Sequence, residues 1–401
     1  MSLYSVKEEL CVPAARHAWR AGHPLWALGF RPFYLLAALL ALVFVPLWLA
    51  QYLGWVSGAS RITVGWHMHE MVFGFAIAVV VGFLFTAGRA WTGLWTPRGM
   101  HLAVLALVWV AGRMAMLVGP AWLAAALDIV FLPAAAWSIY RVLKQAGNRR
   151  NMFLIVLLGL LTLANAAFHG VAMGVLSIGE VAPIHAAILV IVLIEAAIGA
   201  RVIPMFTDSA ASGPKSRVLP RNEKLAMGLI VAAGFGWVFG APAPLTACLC
   251  FLAGCATALR LACWRPYRTL RLPLLWILHL SYAWIGAGFV LLALAALGLV
   301  TASVAFHALA VGSMGGLIIG MMTRTSLGHT GRKLVAGRAE TCMYVLIQAG
   351  ALARVAAGVV PFDSRAALLV AAGVCWSFSF GLFLAVYTPY LWRARVDGKE
   401  G

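Results

Sequence analysis

The sequence predicts an all-helical, polytopic integral membrane protein of about twelve transmembrane helices with both termini cytoplasmic. Three observations carry that prediction. The chain of 401 residues is 63% apolar and only 10% charged, against about 25% charged in an ordinary soluble domain. Its apolar residues fall in successive runs near the ~20 residues that a bilayer-crossing helix needs. Its basic residues sit almost wholly in the short loops between those runs.

Twelve apolar segments follow in order, at about 29–49, 66–87, 102–119, 121–143, 152–175, 181–206, 224–240, 243–264, 273–298, 301–322, 338–360 and 364–387. Arg31-Pro32 opens the first, with proline in the first turn, where its missing N–H costs little. The longest polar piece, 207–223, is rich in Ser, Gly, Pro and Lys and divides one membrane domain into six helices over 29–206 and six over 224–390. The tail before residue 29 mixes Lys7, Glu8, Glu9, Arg16 and Arg20 without a compact apolar core, so no cleavable signal peptide is expected. A formal charge of +18 reflects loop lysines and arginines, not a nucleic-acid surface. Among seven cysteines there is no Cys-x-x-Cys and no Cys-x-x-Cys-His, so no covalently attached c-type haem is expected.

Positive loops stay cytoplasmic. When loops are assigned alternately to the two sides, one side collects all but four of the 30 basic residues, the exceptions being Arg61, Arg113, Arg354 and Arg365. Depth then follows from orientation. His67, His69 and Glu70 open the second helix, His169 lies near the end of the fifth, and His185 and His307 start the sixth and tenth. Arg113 is late in the third helix and Asp128 early in the fourth. Five histidines on four helices, with a carboxylate-and-arginine set, are therefore expected to share the outer third of the bilayer. The sixth and tenth helices are alike. His185 precedes Arg201 and His307 precedes Arg324 by intervals that cover about 24–26 Å of helix.

Ionisable groups inside a membrane are costly and usually functional. Histidine is the commonest metal ligand, so His67, His69, His169, His185 and His307 are the candidate ligands. Residues i and i+2 on a helix point about 200° apart. His67 and His69 therefore either flank the helix in two sites, or Trp66-His67 belongs to the preceding loop. Glu70 and mid-membrane Glu195 are candidate acid–base groups, with Glu195 read as a proton relay or a partner for a buried arginine. Asn165, four residues before His169, Arg113, and Met314 on a methionine stripe below His307 are candidate cofactor contacts. Arg201 and Arg324 at the inner face either bind cofactor carboxylates or anchor helix ends.

These residues together resemble the NnrS family of bacterial membrane proteins. The matching pieces are Gly29-Phe30-Arg31-Pro32-Phe33, Trp66-His67-Met68-His69-Glu70-Met71 with Phe73-Gly74-Phe75, and Gly199 through Thr207. The longest runs from Phe306-His307-Ala308 through Met322-Thr323-Arg324-Thr325 to Gly328-His329-Thr330-Gly331-Arg332. The resemblance implies a haem- and copper-containing protein of the bacterial inner membrane, associated with nitric oxide metabolism, denitrification and resistance to nitrosative stress. The haem is expected to be of the non-covalent b type.

The leading expectation is thus a haem/copper protein that binds or reduces nitric oxide in the outer half of the membrane, with an electron donor if it turns over. Capture of NO or an iron–nitrosyl species without turnover is the alternative. A secondary transporter fits two halves of six helices, but not polar residues gathered at one side instead of the midplane.

Overall fold

A computed structural model describes residues 22–58 and 61–401. The N-terminal tail read above, with Cys11, lies outside the described residues. Among the described residues, twelve long helices make up the fold and there is no β-strand. They are α1 (Phe30–Tyr52), α2 (Val64–Thr92), α3 (Met100–Val118), α4 (Ala121–Gln145), α5 (Phe153–Ala172) and α6 (Ala182–Ala210). After the connection come α7 (Pro220–Val238), α8 (Ala243–Cys263), α9 (Pro273–Ala296), α10 (Ala302–His329), α11 (Arg338–Ala356) and α12 (Phe362–Trp392). Ten are long and apolar enough to cross a membrane. The other two, α7 and α11, start among charged residues: Arg221, Glu223 and Lys224 on one, Arg338 and Glu340 on the other.

The helices form an enclosure around two of their number. From α3 to α9 each helix leans on the next, and α9–α11, α11–α12 and α12–α1 contacts continue the wall. Inside lie α2 and α10, each with 78% of its apolar window buried, more than any other span. Lipid gives no hydrophobic drive for helix association, so tight packing against small residues does that work. Where α1 starts against the end of α2, a Cβ on Gly29 would lie 2.6 Å from Phe85 Cβ, and one on Gly82 would lie 3.0 Å from Phe33 Cβ. Arg31, fully buried in the same joint, donates to the backbone carbonyls of Leu391 and Arg393 at 2.8 Å each. The first sequence motif is therefore a structural joint between α1, α2 and the chain after α12.

Both inner helices depart from α-geometry at the same relative depth. Thr63 caps α2 by accepting from the Trp66 N–H at 3.1 Å. The α-helix runs only to His69 before a π-helical segment covers Glu70–Ala76. On α10 the α-helix runs to His307 and a π-helical segment covers Ala308–Gly315. Such segments insert a residue into the turn and concentrate at functional sites. Each begins directly after a histidine.

Candidate functional site

Two polar sites lie at one end of the bundle, on different sides of α2. The first gathers His69 and Glu70 from α2, Arg113 from α3, Asp128 from α4, and Asn165 and His169 from α5, all of them buried. His69 Nε2 lies 3.0 Å from both Asp128 Oδ2 and Asn165 Oδ1, and its Nδ1 lies 3.1 Å from Glu70 Oε1. His169 Nε2 lies 3.0 Å from Asp128 Oδ2, to which Asn165 Nδ2 donates at 2.8 Å. Arg113 closes the set, donating to Glu70 Oε1 at 3.0 Å and pairing with Asp128. Phe168 stacks on His69 with ring centroids 4.5 Å apart. One donor atom from each of His69, Asp128 and His169 falls within 4.8 Å of the others, which is an arrangement that can hold a metal ion. Glu70 Oε2 is buried without a hydrogen-bond partner.

Gly74 makes the close approach possible. A Cβ there would lie 3.0 Å from Arg113 Nη1 and 3.1 Å from Glu70 Oε2, so only glycine leaves room for the pair. Its carbonyl, in the π-helical segment, accepts from Trp109 Nε1 at 3.2 Å.

The second site is a cavity of about 570 Å³ between α1, α2, α6, α10, α11 and α12. Such a volume lies within the ~300–1,000 Å³ usual for cofactor and small-molecule pockets. Its aromatic walls include Trp48, Phe75, Phe306 and Trp376, and its polar lining includes His67, His185, His307, Arg354, Arg365 and Ser303. Among the described residues, no carboxylate lines it. His67 stacks on Trp48 at 3.8 Å and its Nδ1 is buried without a partner. His185 stacks on Phe306 at 3.7 Å, and Trp237 Nε1 donates to its Nδ1 at 3.3 Å. His307 Nδ1 donates to the Ser303 carbonyl at 2.6 Å, which leaves its Nε2 lone pair as the free one. An outer hydrogen bond of that kind commonly fixes a metal-bound imidazole. Met314 lines the floor.

The five candidate histidines thus divide between two sites. His67, His185 and His307 share the cavity, whereas His69 and His169 belong to the polar cluster. The i, i+2 spacing of His67 and His69 within the α-helical part of α2, Val64–His69, is what puts them on different sides. Asn165, Arg113 and Glu70 fall in the cluster and Met314 in the cavity. Glu195 lies in neither. It accepts from Ser313 Oγ at 2.8 Å and lines a smaller apolar pocket of about 90 Å³ farther along the α2–α6–α10 seam, with Tyr34 and Met321. Arg201 and Arg324 line neither site. Arg201 donates to Asn151 Oδ1 at 2.7 Å, and Arg324 packs over the Phe206 ring at 3.7 Å. His279 pairs with Thr207 Oγ1 at 2.8 Å, and His329 lies 5.7 Å from the Phe30 ring, away from both sites.

Three members were not among the sequence-derived site residues. Asp128 is the hub of the cluster, and Arg354 and Arg365 supply the cations of the cavity. The signal was present, because Arg113, Arg354 and Arg365 are three of the four basic residues that break the loop charge bias. A polar residue kept where the bias disfavours it marks a site more surely than a polar residue at a loop end.

No curated protein matches the chain. The family model described as NnrS protein matches residues 24–395, a span that includes every residue of both sites. With nearly its whole length inside that match, the chain belongs to the NnrS family.

Proposed function

We propose that this protein binds haem in the cavity and a copper ion at the neighbouring cluster, and that it captures nitric oxide, protecting a denitrifying cell from nitrosative stress. The single observation that carries the reading is the cavity lining: three imidazoles and two guanidiniums on aromatic walls, with no carboxylate among the described residues. Those residues fit a flat macrocycle with two acidic groups. His307, whose Nδ1–H is engaged by the Ser303 carbonyl, would present Nε2 to the iron. His67, with an unpartnered buried Nδ1, is the second candidate. Arg354, held by Ser303 Oγ at 3.1 Å, and Arg365, whose Nε is buried without a partner among the described residues, would take the two carboxylates. Bound haem supplies an iron coordination position for NO.

The chain's own residues do the rest. Trp48, Phe75 and Trp376 keep the cavity apolar, which suits a small neutral ligand that partitions into lipid. His185, whose Nδ1 accepts from Trp237, carries its proton on Nε2 and would donate to a polar group of the ligand. The basic loops at the opposite end support an orientation with both termini cytoplasmic and the histidine end in the periplasmic half of the inner membrane.

Reductive turnover is the competing reading, and one observation weighs against it. The cluster of His69, Asp128 and His169 contributes no residue to the cavity lining. Coupling two NO molecules needs both held at close range in one space. Glu195, bonded to Ser313, would serve as a proton relay, and an electron donor would be required, only in that reading.

The test is an absorption spectrum of the purified protein, with and without NO, for the wild type, His307→Ala and His279→Ala. Capture predicts a Soret band that shifts with NO, lost in His307→Ala and kept in His279→Ala. A wild type without a Soret band, or equal loss in both variants, contradicts the assignment. Steady anaerobic NO consumption with an added reductant would replace capture by reduction.

A further inference from the structure

The polar cluster carries an uneven charge. Glu70 and Asp128 bring two carboxylates, Arg113 brings one guanidinium, and all three are at least 95% buried. With neutral imidazoles the set is left with one surplus negative charge inside an apolar bundle, and an uncompensated buried charge is strongly disfavoured.

The hydrogen bonds point to the same deficit. Every polar neighbour of His69 is an acceptor: Glu70 Oε1 at 3.1 Å on one side, Asp128 Oδ2 and Asn165 Oδ1 at 3.0 Å on the other. The Asn165 amide cannot be turned to help, because its Nδ2 donates to Asp128 at 2.8 Å. A neutral imidazole has one N–H and one lone pair, so one side of His69 faces lone pair against lone pair. His169 Nε2 approaches the same Asp128 oxygen at 3.0 Å. A cation among His69 Nε2, His169 Nε2, Asp128 Oδ2 and Asn165 Oδ1 removes both faults. A single positive charge leaves the cluster neutral, whereas a divalent ion leaves it positive and beside a guanidinium.

We propose that Arg113, by offsetting one of the two carboxylates, sets this site to hold a soft monovalent cation of the Cu(I)/Ag(I) class in preference to a divalent ion. The proposal rests on the metal half of the functional reading and is independent of the haem half. Arg113 acts here through charge and contributes no ligand. Imidazole binds copper and zinc alike, so the charge count is what selects between them.

Silver(I), which has no redox chemistry here, and zinc(II) are the probes. The full-length protein in detergent is first treated to block thiols, since Cys248, Cys255 and Cys342 are exposed. Retained metal is measured on the same samples as the Soret band. The wild type should retain one equivalent of silver, and His169→Ala should lose it. Zinc should bind at least tenfold more weakly. Glu70→Gln, which removes one negative charge but no ligand, should weaken silver at least tenfold. Arg113→Gln should shift the silver-to-zinc ratio at least tenfold towards zinc. Ligands are unchanged in those two variants, so charge is separated from softness. If Arg113→Gln does not fold, Glu70→Gln and the wild-type ratio decide.

Zinc binding as tightly as silver in the wild type overturns the proposal. So does silver equally retained by His169→Ala, or no retained metal at all, which would mean that an extra proton closes the network. A normal Soret band in those cases leaves the haem reading standing. Silver retention without a Soret band has the converse meaning.

Discussion

His67 and His69 are two residues apart on α2 and sit in opposite kinds of surroundings. His69 lies in a dry cluster where nearly every polar atom is engaged by Glu70, Arg113, Asp128, Asn165 or His169. His67 lines an open cavity with a stacked Trp48 on one side and no partner for Nδ1. The cluster is densely bonded and costly to disturb, its open capacity confined to the acceptors crowded on His69. The cavity is unsaturated, with hydrogen-bonding capacity left for a ligand. One helix serves both, because the π-helical segment after His69 turns Glu70 and Gly74 towards Arg113 while Met71 and Phe75 line the cavity. Substitutions on the cluster side of this helix should therefore act mainly on stability and bound metal, and those on the cavity side mainly on haem retention.

The largest effect is expected at the hub. Asp128→Ala leaves Arg113, Asn165 and His169 without their shared acceptor, and breaking a buried ion pair on one side costs about 3–5 kcal/mol. Thermal unfolding in detergent measures it, and a change within error would mean that the cluster contributes nothing to the fold. His307→Ala, across α2, loses chiefly one hydrogen bond and should cost about 1 kcal/mol. Next comes Gly74→Ala. Its Cβ, 3.0 Å from Arg113 Nη1, would force the pair apart at about 1–3 kcal/mol, the usual cost of overpacking. The same variant should lower bound metal without changing the haem spectrum.

Smaller effects belong to the cavity. Arg354→Gln and Arg365→Gln should each weaken haem retention about tenfold, or about 1.4 kcal/mol, with the fold intact. Arg201→Gln, facing Asn151, should leave retention unchanged. Equal losses in all three would move the acidic groups of the ligand to the other end of the bundle. The smallest is Glu195→Gln, which can still accept from Ser313. NO binding should be unaltered, and a large loss would bring the acid–base reading of Glu195 back.

Much of the fold was legible in the sequence, because long apolar runs leave few alternatives to helices that satisfy their own backbone. The helices that form the wall were read as readily as α2 and α10. Their interior position was not legible, since packing partners leave no periodic trace in segments that are apolar all round. For the sites, residue types and depth were visible, and the i, i+2 spacing already allowed two sites beside α2. The assignment of each histidine was not, because it depends on which helices pack against each side of α2. Asp128 was visible only as one member of a charged set. Its role as hub arises from contacts with α2, α3 and α5 that are distant in sequence. Arg201 and Arg324 illustrate the opposite case, since parallel positions on α6 and α10 suggested a shared duty, whereas one meets Asn151 and the other the Phe206 ring.

The central claim is that α2 separates two independent sites. The direct measurement is haem and copper content, side by side, in purified His67→Ala and His69→Ala. The account predicts that His67→Ala loses haem and keeps copper, while His69→Ala loses copper and keeps haem. Joint loss of both in either variant would contradict it.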